Sequence, residues 1–85
     1  MIVRVRLFAV AREAAGAEFV DVELPASDVT PPTVADLRRA FLAKLPALQY
    51  AAKQLMFAVD GDYATDATRV TAASDVACIP PVSGG

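Results

Sequence analysis

The sequence has 85 residues, of which 55% are hydrophobic and 21% are charged, and its formal net charge is −2. A chain of this length forms one domain with one core, and the high apolar fraction excludes an intrinsically disordered protein. The charge balance lacks the basic excess that draws proteins to phosphate backbones, so no nucleic-acid partner is expected. The sequence has no histidine and a single cysteine, which excludes an internal disulfide and any histidine-dependent base or zinc site.

The N-terminal run MIVRVRLFAV predicts the first β-strand, because its apolar and polar positions alternate with a period of two. The side chains predicted to face inward are Val3, Val5, Leu7 and Ala9, and those predicted to face outward are Ile2, Arg4, Arg6 and Phe8. Two arginines interrupt the apolar run, so it is typical of neither a signal peptide nor a membrane span. A cytoplasmic protein without a membrane partner is the expectation.

A second alternating run, FVDVELP, follows a turn predicted at Gly16. Its inward positions are Val20, Val22 and Leu24, whereas Phe19 faces outward. We expect the first two strands to form an antiparallel hairpin.

The main helix is predicted to begin at Thr33, because Asp36 stands three residues further on in a capping pattern and suits the positive end of a helix. Apolar residues then recur at spacings of three and four, which places them on one helical face. These residues are Val34, Leu37, Phe41 and Leu45. Pro46 is expected to end the helix.

The runs LMFAVDGDY and DVACIPP predict two further strands, with a turn around Asp60 and Gly61 and a very short extra strand near Tyr63. Their inward positions are Leu55, Phe57, Val59, Val76 and Cys78. This order of elements predicts a two-layer α+β domain, in which one main helix packs on one face of a mixed four- to five-stranded sheet.

The sheet face without the helix carries an unusual amount of apolar surface. Its residues are Phe8, Met56, Ala58, Ala77 and Ile79, beside Arg4 and Arg6. Two interpretations stay open at this point: single exposed apolar residues are normal on any surface, and a patch contributed by several strands is typical of a docking surface for another protein.

Two further features have a plain structural interpretation. Cys78 has no histidine partner and an inward strand position, which predicts a buried, inert thiol. Asp60 and Asp62 flank Gly61, but two carboxylates without further ligand spacing are more typical of a turn than of a cation loop. No metal site is therefore expected.

The last eight residues, CIPPVSGG, have a distinctive composition. Pro80 and Pro81 cannot donate backbone hydrogen bonds, so they are expected to end the last strand and the domain, which would span 1–80. The following tail, 81–85, would be flexible and could reach about 17 Å when extended, at roughly 3.3 Å per residue. It consists of Pro81, Val82, Ser83, Gly84 and Gly85. Glycines without a Cβ atom fit a narrow channel, so the tail is suited to insertion into a partner.

Four segments carry a resemblance to a known family: LFAVAREAAG, TVADLRRAF, FAVDGDY and above all DVACIPPVSGG. They resemble the MoaD family of ubiquitin-like sulfur carriers, which are the small subunits of molybdopterin synthase. The resemblance implies a β-grasp fold and a thiocarboxylate on the C-terminal Gly85. It also implies a docking surface that, by alignment of the motifs, contains Phe8, Arg12, Tyr63 and Ile79.

The resemblance implies partners and chemistry as well. An E1-like adenylating partner would use ATP to activate Gly85, the sulfur would come from a cysteine desulfurase or related donor, and this chain would bind no cofactor itself. The tail would then enter the large synthase subunit and transfer sulfur to cyclic pyranopterin monophosphate, within a heterotetramer of two small and two large subunits. On its own the protein would catalyse nothing.

Besides a plain interaction module, which would need no free terminus, two alternatives stay open at the level of the sequence. One is a related β-grasp carrier that delivers sulfur to thiamine or tRNA. The other is a ubiquitin-like modifier that is joined to lysines of target proteins through Gly85.

Overall fold

The computed structural model describes residues 1–25 and 29–81. The predicted flexibility of the tail beyond Pro81 therefore lies outside the described residues. The elements, in chain order, are β1 (Ile2–Leu7), α1 (Ala9–Ala15), β2 (Phe19–Glu23), α2 (Val34–Lys44), a 3₁₀ helix (Pro46–Ala51), β3 (Met56–Val59), β4 (Asp62–Tyr63) and β5 (Val76–Ile79).

The strands form one five-stranded mixed sheet in the order β2-β1-β5-β3-β4. β1 is antiparallel to β2 and parallel to β5, whereas β3 is antiparallel to both β5 and β4. The inward residues of the strands form one core with α2. This core includes Val3, Val5, Leu7, Val22, Phe57, Val76 and Cys78 from the sheet and Val34, Leu37, Phe41 and Leu42 from the helix. The predicted α+β architecture is confirmed.

The start of α2 is held by reciprocal polar contacts between Thr33 and Asp36. The backbone N–H and the hydroxyl of Thr33 both donate to one carboxylate oxygen of Asp36, at 2.9 and 3.2 Å. The pKa of the Asp36 carboxyl is lowered, and the largest cause is the hydrogen bond from the Thr33 backbone. Burial acts in the opposite direction, whereas the Thr33 hydroxyl and the nearby Arg39 lower the pKa further. The predicted capping pattern is confirmed, as is the end of the helix before Pro46.

Arg38 connects α2 to two distant segments of the chain. Its guanidinium donates to the backbone carbonyls of Ala52 at 2.8 Å and Leu55 at 2.6 Å, and to the carboxylate of Asp66 at 3.1 Å. It also lies 5.3 Å from the centre of the Phe57 ring. Because planar guanidinium N–H groups point in fixed directions, one side chain satisfies these acceptors together. The start of β3 is thereby tied to the helix.

The prediction for residues 8–16 is wrong in one respect. Ala9 does not continue the first strand, because β1 ends at Leu7 and a helix runs over Ala9–Ala15. The strands β1 and β2 do pair antiparallel, as predicted, but this helix joins them in place of a tight hairpin turn. Gly16 ends the helix in the left-handed conformation with φ 67°, a common role of glycine after a helix.

The physical reason for this helix is visible in the same segment. The stretch AVAREAA is rich in alanine, arginine and glutamate, which favour a helix. Ala11 is fully buried, so the helix packs against the core at this point. Apolar and polar residues alternate up to Phe8, so the sequence did not reveal the change from the strand period of two residues to the helix period of 3.6 residues.

The remaining local predictions concern the strands near the C-terminus. Asp60 and Gly61 both have positive φ, 53° and 88°, as the tightest hairpin turns require. The Asp60 carboxylate accepts a hydrogen bond from the backbone N–H of Asp75 at 2.8 Å, so it stabilises the turn. The turn and the very short strand β4 that follows it are confirmed.

The described ranges lack two further features. Across residues 1–25 and 29–81, no three histidine, cysteine, aspartate or glutamate side chains come together as a group that could hold a metal ion. No helix within these ranges has the length and apolar character needed to cross a membrane.

Candidate functional site

The sheet face opposite α2, which we call the open face, carries one row of side chains across all five strands. The strand register aligns these residues directly with one another: Phe19, Arg6, Ala77, Ala58 and Tyr63. Beside this row, Met56 pairs with Ile79, and Phe8 follows the end of β1 on the same face. Phe8, Met56 and Tyr63 are 44%, 48% and 67% exposed. Large apolar side chains thus gather on a surface that the described part of the chain leaves uncovered.

The chain leaves the domain at one end of this face. Because β1 and β5 are parallel, with Leu7 paired to Cys78, both strands end at the same edge of the sheet. The segment after β1 begins with Phe8 and α1, and α1 contacts β5. Pro80 is buried and Pro81 is exposed, so the described chain reaches the surface at the same edge of the sheet as Phe8.

The structure brings together three of the residues that the resemblance assigned to partner docking. Phe8, Tyr63 and Ile79 all lie on the open face, with Phe8 and Ile79 near the tail exit. Arg12 lies on α1 and its guanidinium is 3.4 Å from the carboxylate of Glu18, as an exposed ion pair. Both Arg12 and Glu18 line a cleft that also includes Phe8. The role of these residues in docking stays a prediction.

The remaining predicted site residues belong to the tail. Pro81 is exposed at the point where the described chain ends. Val82, Ser83, Gly84 and Gly85 lie outside the described residues.

The sequence did not predict the cation–π contacts of Phe19, which lies at one edge of the open face. Phe19 lies under two guanidinium groups, with Arg4 at 5.7 Å and Arg6 at 5.3 Å from the centre of its ring. Arg4 also forms an ion pair with Asp21 at 3.1 Å. The alternation had placed Phe19 outward, but only the pairing of β2 with β1 reveals which cations it contacts.

Cys78 lies on the opposite side of β5, inside the core, and is fully buried. Burial raises the pKa of its thiol to about 12, although the positive charge of Arg38 opposes the shift. Since the thiolate is the nucleophilic form, this sulfur is unreactive in the folded protein. The predicted burial of the thiol is confirmed, and its inertness stays a prediction.

We expect Cys78 to resist thiol reagents in the native state. At pH 8, a pKa of about 12 leaves about one thiol in ten thousand ionised, and burial also blocks the reagent. Labelling by a chromogenic disulfide should therefore be slower by several orders of magnitude in buffer than in denaturant. The sequence has a single cysteine, so the signal reports only this residue. Equal labelling rates in the two conditions would contradict the buried position.

The fold and the exit of the chain beside an open apolar face define a ubiquitin-like β-grasp domain. Residues 5–85 match the ThiS family, and the chain belongs to this family. Together with the two curated relatives described next, this match confirms the relationship to sulfur carriers that the sequence motifs indicated.

Two curated relatives align over nearly the whole chain. The molybdopterin synthase sulfur carrier subunit of Caenorhabditis briggsae is 38% identical over 85 residues, which cover 98% of this chain and 96% of the relative. The protein of the same name from Arabidopsis thaliana is 31% identical over 83 residues, which cover 98% of this chain and 82% of the relative.

Solved structures share the fold. SAMP1 from Haloferax volcanii has 26% sequence identity and a TM-score of 0.78, and the alignment covers 100% of both chains. A complex of subunits 1 and 2 of the molybdopterin-converting factor from Helicobacter pylori contains a similar chain, with 21% identity, a TM-score of 0.64 and 100% coverage of both chains. The β-grasp fold is thus confirmed.

Proposed function

We propose that this protein is a sulfur carrier of molybdenum cofactor biosynthesis whose reactive group is the carboxyl of Gly85. The ThiS family membership and the names of the two curated relatives support this function. The observation that carries it is the position of the tail exit: the parallel strands β1 and β5 end at the same edge of the sheet, so Pro81 reaches the surface at the edge where the exposed Phe8 follows β1. A partner that covers this face would therefore receive the tail in its own active site.

The chemistry proceeds at the terminal carboxyl in three steps. The carboxylate attacks ATP and forms an acyl-adenylate, with release of pyrophosphate. A hydrosulfide equivalent from a sulfur donor then displaces AMP and leaves a thiocarboxylate. The thiocarboxylate sulfur then displaces an oxygen substituent from a side-chain carbon of cyclic pyranopterin monophosphate, so that a carbon–sulfur bond replaces a carbon–oxygen bond and the oxygen leaves as water or with its phosphoryl group. Water cleaves the acyl carbon–sulfur bond, which restores the Gly85 carboxylate and leaves a thiolate on the pterin.

The domain's own contribution is to present the tail. The buried thiol of Cys78 is a poor nucleophile, which leaves the carrier role to the terminus. The bases and the ATP site belong to the E1-like adenylating partner and to the large synthase subunit, so the carrier has no catalytic role of its own and binds no cofactor. These reactions would take place in the cytoplasm.

We place the docking of the large subunit on the open face, through Phe8, Tyr63 and Ile79, with Arg12 at its rim. The relatives are named as one subunit of a synthase, which favours a second, larger subunit as the partner. Exposed aromatic side chains are typical anchors in protein interfaces. A heterotetramer of two small and two large subunits would deliver the two sulfur atoms that each product needs.

The likeness to SAMP1 favours a second candidate function. A solved structure of the same fold from Methanosarcina acetivorans is described as small archaeal modifier protein 1, or SAMP1. A protein modifier would use the same activated Gly85 but would transfer it to the amino group of a lysine. The two functions therefore share the first step and differ in the acceptor.

Intact-mass measurement distinguishes the two functions. The protein is purified from cells that also produce its adenylating partner and sulfur donor. The carrier function predicts free protein that is heavier by the difference between one sulfur and one oxygen atom. A matched variant with one residue added after Gly85 should keep its unmodified mass. Isopeptide-linked conjugates without any thiocarboxylate would contradict the carrier function and support a modifier.

A further inference from the structure

Arg6 is a cation on the open face that forms no ion pair within the described ranges, although Glu18 lines the same cleft. The nearby Arg4 pairs with Asp21 at 3.1 Å, and Arg12 pairs with Glu18 at 3.4 Å. No carboxylate of residues 1–25 or 29–81 lies within 4.0 Å of the Arg6 guanidinium. The charges of its neighbours are thus compensated within the domain, whereas the charge of Arg6 is not.

The guanidinium of Arg6 is also held in place. It lies over the ring of Phe19 at 5.3 Å from the ring centre. A cation–π contact with a ring leaves the N–H groups of a guanidinium that point away from the ring available to donate to an acceptor with two oxygens. Arg6 therefore offers an oriented set of donors, and little side-chain entropy is lost when an acceptor binds.

The position of Arg6 places it inside the area that a docked partner would cover. Tyr63 stands in the same row, three strands away, which is about 14 Å at a strand spacing of about 4.8 Å. Phe8 lies two residues after Arg6 in the chain, which is about 7 Å from Arg6 along the strand direction. With Met56, these residues mark the corners of a patch, and an interface of ordinary size, about 800 Å² on each side, covers such a patch completely.

We infer that Arg6 selects the partner of this domain by pairing with a carboxylate on the partner's apolar docking surface. This inference rests on the proposed function and specifies the chemistry of the large subunit that docks on the open face. Covering an unpaired guanidinium with apolar surface alone is costly, because the charge loses its water without gaining an acceptor. An aspartate or glutamate opposite Arg6 satisfies the charge, and surfaces without one are rejected.

The test measures the dissociation constant between this protein and the large subunit of molybdopterin synthase from the same organism. Arg6→Gln should weaken binding by about 30-fold or more, since it leaves the partner's carboxylate unpaired. Arg6→Lys should fall between Arg6→Gln and the unaltered protein, because it keeps the charge but loses the planar geometry. Arg4→Gln is the matched control on the same strand, and it should change binding by less than about 3-fold because Arg4 is already paired at an exposed site. Thermal unfolding of each variant verifies that the fold is retained.

A charge reversal identifies the acceptor. Arg6→Glu should bind poorly to the unaltered large subunit and should regain affinity with a large subunit in which one interface aspartate or glutamate is replaced by arginine. Binding of Arg6→Gln within about 3-fold of the unaltered protein would overturn the inference and leave the proposed function standing. If none of the large subunits with such an arginine restored the binding of Arg6→Glu, the conclusion that a carboxylate accepts from Arg6 would be overturned. Absence of any binding by the unaltered protein would overturn the proposed function together with the inference.

Discussion

Sulfur transfer to the pterin precursor should be lost when Gly85 is deleted or when one residue is added after it. The reactive carbonyl moves along the tail by one residue, about 3.3 Å, in either case. Misplacement by even 1 Å costs about 100-fold in reactions that depend on positioning, so we expect a loss of more than about 100-fold. The measurement is molybdopterin formation by the reconstituted synthase with adenylating partner, ATP and sulfur donor.

The control for this prediction compares one extended variant of the protein before and after proteolytic cleavage. A variant extended beyond Gly85 by a protease site should be inactive before cleavage and active after cleavage behind Gly85. Unfolding curves and affinity for the large subunit should be close to those of the unaltered protein, because the core and the open face lie within residues 1–81. Full sulfur transfer by the uncleaved variant would show that the terminal carboxyl is not the sulfur carrier.

The largest expected effect on stability is that of Phe41→Ala. Phe41 is fully buried, and its ring meets that of Phe57 edge to face at 5.5 Å and 89°. Truncation leaves a cavity between α2 and the sheet and removes the aromatic contact, at a cost of about 3–5 kcal/mol in the free energy of unfolding. Because small domains are stable by only about 5–15 kcal/mol, this loss is a large part of the total. Equilibrium unfolding in guanidinium chloride, with the slope compared between variants, measures it.

Phe8→Ala is the matched control, with the same substitution at a residue that is 44% exposed. It should cost less than about 1 kcal/mol, because the side chain of Phe8, although it stands at the N-cap of α1, is exposed and makes no capping hydrogen bond. It should instead weaken docking of the large subunit, which Phe41→Ala affects only through unfolding. A loss of stability at Phe8 equal to that at Phe41 would contradict the described core.

The observed positions of individual residues show why some predictions from the sequence were confirmed and one was wrong. Alternation in β1 and β5 correctly identified the buried positions, because a period of two reports directly which side chains face the core. The capping contact between Thr33 and Asp36 is equally local, since both groups lie within one helical turn. Ala9 was misplaced because a strand and a following short helix can share one apolar pattern, and the packing of Ala11 on the core decides between them.

The candidate site also combines features that the sequence predicted with contacts that it did not predict. The tail composition, the outward positions of Phe8 and Ile79 and the motifs of the family could all be read from the chain. The contacts of Phe19 with Arg4 and Arg6 could not, because they depend on the pairing of β2 with β1.

The sequence by itself determined which faces of the strands and of the main helix are buried, where the helix begins and ends, and which family the chain resembles. These properties depend on side chains that are near one another along the chain. Only the tertiary structure decided that β1 lies parallel to β5, so that the chain reaches Pro81 at the same edge of the sheet as Phe8, and that Arg6 stands in one row with Tyr63. The physical reason is that strand order and direction depend on pairings between distant segments, which local periodicity does not encode.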